Sequence, residues 1–302
     1  MKKTVKLLAL MAVVLAGCTA CGRNTTKNTV DDSGKVKVMT SFYTMYDFAQ
    51  KIGGEKVEIT NMVPAGTEPH DWEPSAIDIR NMEDADVFIY NGAGMEHWAE
   101  DILKSLDNSD LITVEASKGV ELIKEEKEND PHVWLDPENA KIELEHIKDA
   151  LVEADKDNAD YYNENYEIYS KQLDELDAEF EETLSQTTNK DIIVAHEAFG
   201  YLCKAYGLNQ IAIEGLMPDS EPDPARMEEI IQLAKQKKIN TIFFEELVSP
   251  KVANTIAKEI GAKTEVLNPL EGLSEEQMEA GEDYFSVMRT NLQEIKNALE
   301  SE

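Results

Sequence analysis

Four residues of this chain have the types and settings that a metal ion needs. His70 lies in "PAGTEPHDWEPS", His132 in "DPHVWLDPENA", His196 at the end of "DIIVAH", and Glu271 in "LNPLEGL". The sequence has only five histidines in 302 residues, so three in such settings stand out. Three imidazoles and one carboxylate make a good shell for Zn²⁺, which takes tetrahedral, nitrogen-rich sites. Neutral imidazole nitrogen is intermediate in softness, and a single carboxylate offsets part of the charge. Pro69 and Pro131 restrict the backbone just before two of the histidines. Trp134 is an apolar bulk that keeps water from His132. Asp71, Glu73, Asp136 and Glu197 are nearby carboxylates that could fix an imidazole tautomer.

Each of the four is weak evidence alone, because a single histidine after a strand is commonly a hydrogen-bonded loop residue. Glu271 has rivals in Glu214, Glu245 and Glu246, which also end strands. His146 sits in a charged helical stretch and reads as solvated. His97, in "GMEHWAE", opens a helix and reads as a surface position. The joint pattern is what points to a metal site, and it depends on the elements around the four residues.

From residue 35 the chain alternates. "KVKVMT", "KVEITNMV", "DVFIYNG" and "LITVEA" read as strands, separated by helical stretches, one of which opens with a capping box of Ser75 and Asp78. The alternation then stops. Asp136 and Pro137 start one helix, and a second, with Asp155 as a candidate cap, carries Tyr162, Tyr166, Tyr169, Leu173, Leu176, Phe180 and Leu184 at spacings of three and four. Afterwards "DIIVAH", "NQIAIEG", "TIFFEE" and "KTEVLN" resume the alternation. The reading is α/β: a βα lobe over 35–156, a long linking helix over 157–187, and a second βα lobe over 188–302, with parallel-type sheets. No fixed-period repeat appears. His70, His132, His196 and Glu271 each follow a strand, two in each lobe. Ligands of open α/β sheets bind at that carboxyl edge, so facing edges bring the four into one cleft.

The front of the chain, "MKKTVKLLALMAVVLAGC", has a basic start, a short apolar run and small residues before a cysteine, the layout of a secretory signal over 1–17. Leu15 to Cys18 resembles a bacterial lipobox, which implies lipidation at Cys18 and a membrane anchor; residues 18–34 are polar and read as a flexible tether. The formal charge is −32, and loss of 1–17 removes three lysines, leaving 26 basic against 61 acidic side chains, or −35. A surface so acidic repels nucleic acid. With Cys18 committed, only Cys21 and Cys203 remain, too few for a cysteine-rich zinc site.

"GTEPHDWEPS", "DPHVWLDPENA", "AHEAFGYLCKAYGL" and "LNPLEGL" resemble, in order and across the mature chain, the segments of the metal-binding lipoproteins of bacterial ABC uptake systems, in the zinc, ZnuA-like branch. The resemblance implies two βα lobes, a rigid connecting helix and a metal between the lobes. It implies His70, His132, His196 and Glu271 as ligands, Zn²⁺ as cargo, a membrane permease and its ATPase as partners, and a monomer at the outer face of the membrane. Manganese-type relatives carry glutamate where His196 stands, which favours zinc here and leaves manganese or iron as the alternative. The histidine-rich loop of many zinc relatives is replaced by "IKEEKEND". A zinc hydrolase is the remaining alternative. However, "HEAFG" has Gly200 where H-E-x-x-H needs its second histidine.

Overall fold

The central strands of both sheets are apolar runs of four or five residues, mostly buried, as parallel sheets covered on both faces require. The computed structural model describes residues 34–125, 128–218 and 224–300. In the first lobe β1 (Val36–Thr40), β2 (Val57–Asn61), β3 (Val87–Tyr90) and β4 (Ile112–Glu115) form an all-parallel sheet in the order β2-β1-β3-β4. Val38 pairs with Ile59 on one side and Val87 on the other, so β1 is central. The edge strand β2 alternates buried and open positions, whereas Val87, Phe88 and Ile89 are fully buried. Helices α1 (Tyr43–Gly53), α2 (Ala76–Glu83) and α3 (Ala99–Ser105) connect the strands.

The second lobe has the same layout. β5 (Asp191–Val194), β6 (Asn209–Ala212), β7 (Thr241–Phe244) and β8 (Lys263–Val266) run parallel in the order β6-β5-β7-β8. Helices α6 (Gly200–Tyr206), α7 (Pro224–Lys237), α8 (Lys251–Ile260), α9 (Glu275–Glu279) and α10 (Tyr284–Glu300) complete it. Helix α9, five residues started by a capping box of Ser274 and Gln277, is too short to show a period in the sequence.

Between the lobes, α4 (Pro137–Ala154) starts as expected: Asp136 accepts a hydrogen bond from the Glu138 N–H, and Pro137 fills the first turn. The Ser75–Asp78 box is likewise present. Asp155 behaves differently. It accepts hydrogen bonds from Asn158 Nδ2 and Tyr162 Oη, while a 3-10 turn over Lys156–Asn158 delays the next helix. That helix, α5 (Ala159–Ser185), has 27 residues. At 1.5 Å per residue it is about 40 Å long. It buries Tyr162, Leu173, Leu176, Phe180 and Leu184 in a core cluster that draws residues from both lobes, as a helix linking them must. Tyr166 and Tyr169 are only partly buried against that core. Each fully buried side chain of this kind contributes roughly 1.5–3 kcal/mol of apolar transfer.

The junction is also tied by polar contacts. Trp134 Nε1 donates to the Pro269 carbonyl at 2.7 Å, Tyr284 Oη donates to the Trp134 carbonyl at 2.7 Å, and Thr44 Oγ1 donates to the Leu270 carbonyl. Lys51 bridges Asp47 and Asp283. Cys203 is buried in α6. The leader expected over 1–17, the tether over 18–34, and Cys18 and Cys21 lie outside the described residues.

Candidate metal centre

His132 is held by its own loop. Asp130 Oδ1 accepts from the His132 backbone N–H at 3.0 Å and lies 2.7 Å from its Nδ1. With Nδ1–H donated to Asp130, Nε2 is the nitrogen left with a lone pair for an ion. His70, in the loop after β2, has its backbone N–H bound by the Glu68 carboxylate at 3.0 and 3.2 Å. The two histidines share a motif, acid–proline–histidine, in Glu68-Pro69-His70 and Asp130-Pro131-His132. His196 stands two residues beyond β5, with Nε2 2.9 Å from the Leu216 carbonyl and Nδ1 3.3 Å from Glu245.

Glu271 follows a strained residue. Leu270 has φ 62°, a left-handed conformation that typically costs a non-glycine residue about 1–3 kcal/mol. It is held there on both sides: its N–H donates to Asn268 Oδ1 at 2.7 Å, and its carbonyl accepts from Thr44 Oγ1. Asn268 is itself clamped by the Asn291 side chain through two hydrogen bonds. The strained turn aims the Glu271 carboxylate back between the lobes.

The four side chains meet. His132 Nε2 is 2.8 Å and His70 Nε2 3.3 Å from Glu271 Oε1; the two nitrogens are 3.2 Å apart, and His196 Nδ1 is 3.7 Å from the same oxygen. One ligand atom from each of the four can be chosen so that all lie within 4.8 Å of one another. Donors 2.0–2.1 Å from a tetrahedral zinc lie about 3.4 Å apart; the separations of 2.8–3.7 Å bracket that value, and the widest pairs, up to 4.8 Å, must draw in to share one ion. Exposure is 5 % for His70, 0 % for His132, 2 % for His196 and 1 % for Glu271. The Trp134 ring, 5.4 Å from that of His132, closes the inner side. A cavity of ≈ 220 Å³, lined by Tyr43, Tyr46, Val63, Leu273 and Met278, opens beside Glu271.

The electrostatics follow from this crowding. Burial alone raises a carboxyl pKa, but His196, His70 and His132 together hold Glu271 well below the usual range. Burial lowers the His132 imidazolium, yet Asp130 and Glu271 outweigh it and raise the group to about 10. His196 is raised as well: burial opposes, while Glu271 and Glu245 prevail. Glu68 is pushed up to about 8 by burial and by the charge of Glu271.

The carboxylates that support the histidines are therefore Asp130, Glu68 and Glu245, not those anticipated. Asp136 caps α4. Glu73 pairs at 3.6 Å with His97, both on the open surface. Asp71 is exposed and Glu197 only partly buried. The acid–proline–histidine repetition was the available signal for two of the three. His146 is half-buried, not solvated, and its Nδ1 lies 2.8 Å from the Ala116 carbonyl, away from the cluster.

Two parallel α/β sheets whose carboxyl edges share one buried group of imidazoles and a carboxylate define a two-lobed binding protein for a divalent metal ion. The chain belongs to the family described as "ZnuA: Zinc-uptake complex component A periplasmic", whose model matches residues 38–298. It is 42% identical over 306 residues to the high-affinity zinc uptake system protein ZnuA of Bacillus subtilis (strain 168), covering 95% of this chain and 96% of that protein. It is 40% identical over 318 residues to the zinc-binding lipoprotein AdcA of Streptococcus pneumoniae (strain ATCC BAA-255 / R6). That alignment covers 100% of this chain but 62% of the longer AdcA. The crystal structure of the Zn(II)-bound ZnuA-like domain of Streptococcus pneumoniae AdcA superposes with a TM-score of 0.80 at 41% identity, covering 89% of this chain and 100% of that one. Membership makes the chain an extracytoplasmic zinc-capturing component of an uptake system.

Proposed function

We propose that His70 Nε2, His132 Nε2, a ring nitrogen of His196 and Glu271 Oε1 close around one Zn²⁺ as cargo, and that the chain hands this ion to an ABC permease driven by its ATPase. The observation that carries the proposal is the convergence of four buried donors from the segments that follow four separate strands. Three nitrogens and one oxygen suit zinc better than manganese or iron, which favour harder, oxygen-rich shells. Four protein donors also fill a tetrahedral shell, which argues for holding an ion over hydrolysing a substrate on it. Lipidation at Cys18 after loss of 1–17, with 18–34 as tether, would keep a monomeric receptor at the outer membrane face. The lobes at 35–156 and 188–302 and the helix at 157–187 then form the receptor body. Among the described residues no helix is long and apolar enough to cross a membrane.

Calorimetric titration of the metal-free protein with Zn²⁺ tests the proposal. One tight, saturable equivalent is expected, and an anomalous-scattering map should place the ion within bonding distance of all four residues. Weak or non-saturable binding refutes it.

A further inference from the structure

The strand order of the second lobe places a further acid at the metal centre. β7 lies between β5 and β8, so its carboxyl end falls between those that deliver His196 and Glu271. The residue there is Glu245, one past the end of β7, buried at 3 % exposure. Both its oxygens lie 3.3 Å from His196 Nδ1. That separation is close to the distance of about 3.4 Å between two ligands of one ion. Glu245 Oε1 has no other partner, and neither has Glu271 Oε2. A buried carboxylate oxygen left without a partner costs free energy unless a cation satisfies it. The centre thus has two buried oxygens more than a four-coordinate ion uses.

Resting on the capture reading above, we infer that Glu245 is a reserve donor that sets which ions the cleft accepts. Zn²⁺ is satisfied by three nitrogens and Glu271 Oε1, and leaves Glu245 uncoordinated. An ion that demands more ligands draws in Glu245 Oε1 and Glu271 Oε2, which makes a shell of three nitrogens and three oxygens. Hard divalent cations such as Mn²⁺ take this kind of shell. Glu245 lies outside the mutual reach of the four, so its recruitment requires a side-chain shift toward the centre.

The test compares wild type with Glu245→Gln, which keeps the size but removes the charge, and with Glu245→Asp, which keeps the charge but withdraws the oxygens. The metal-free proteins are titrated with Co²⁺, Mn²⁺ and Zn²⁺. Wild type should give the weak visible bands of five- or six-coordinate Co²⁺, and both variants the stronger bands of a four-coordinate site. Mn²⁺ affinity should fall at least tenfold in both, the scale on which metal sites respond to a lost carboxylate contact. Zn²⁺ affinity should stay within roughly threefold, because its four ligands are untouched. Unchanged Co²⁺ spectra, or equal losses for Mn²⁺ and Zn²⁺, overturn the inference; equal losses would mean that Glu245 only holds His196 in place. A wild-type chain that bound no zinc would instead refute the capture reading itself.

Discussion

Replacing Asp130 by asparagine separates two effects that one carboxylate combines. Asp130 Oδ1 lies 2.7 Å from His132 Nδ1, with both residues buried. It orients the ring, strengthens Nε2 as a ligand and, together with Glu271 and against burial, raises the competing affinity for a proton to a pKa of about 10. At pH 7 zinc must displace that proton. Three pH units at 1.36 kcal/mol each put the penalty at about 4 kcal/mol, or a thousandfold in apparent affinity. The sign is fixed by the direction of the shift: a raised imidazolium holds its proton below pH 10, so competition is strongest in acid and fades as pH rises. Asparagine keeps an acceptor for Nδ1–H but loses the charge. Intrinsic zinc affinity should fall by roughly 10–100-fold, as for other lost supports of a metal-bound histidine. The proton penalty shrinks at the same time. Wild type should therefore hold its greatest advantage over Asp130→Asn near pH 9, and that advantage should shrink, and can reverse, toward pH 6. Competition titrations against a zinc chelator across that range, with proton release counted from calorimetry in two buffers, measure both quantities. A wild-type advantage that is independent of pH, or largest in acid, refutes this account.

Three further outcomes follow from the same geometry. His132→Ala should lose more zinc affinity than the roughly 10–100-fold expected of an outer partner, whereas His146→Ala, which removes only a bond to the Ala116 carbonyl, should bind zinc like wild type in the same titration. At Gly200 an added Cβ would come within 2.5 Å of Asp130 Oδ2. Gly200→Ala should therefore destabilise the fold by about 1–3 kcal/mol in denaturant unfolding and weaken zinc binding about tenfold, by displacing the carboxylate that orients His132. In the metal-free protein the raised His132 contributes stability that is complete below its unfolded pKa of about 6.5 and lost as pH rises toward 10. The melting temperature of the metal-free form should accordingly fall between pH 7 and 10, and a flat or rising profile contradicts the assignment.

The order of elements was legible in the chain because periodicity, caps and breakers act over a few residues. Ser75 with Asp78, and Asp136 with Pro137, marked helix starts correctly, and the apolar runs at 36–40, 87–90 and 191–194 marked buried strands. The four side chains that converge could also be picked out, since histidine is scarce and each of the four followed a strand. Asp155 and α9 were misjudged or missed where a 3-10 turn or a very short helix left no period to read.

The supporting shell was a different matter. Asp130 and Glu68 are local, set two residues before their histidines, and the repeated acid–proline–histidine pattern carries them in the sequence. Glu245 is 49 residues from His196, and Glu271 is 139 from His132. Contacts at such range depend on strand order, and only the packed sheets show that β7 runs between β5 and β8. The same holds for the shared layout of the two lobes, which no residue period betrays, and for the left-handed turn at Leu270, which Asn268, Asn291 and Thr44 hold from distant elements. Residue type and short-range spacing determined which atoms could bind a metal. Long-range packing, which must desolvate those atoms and hold them at the separation an ion requires, decided that they meet.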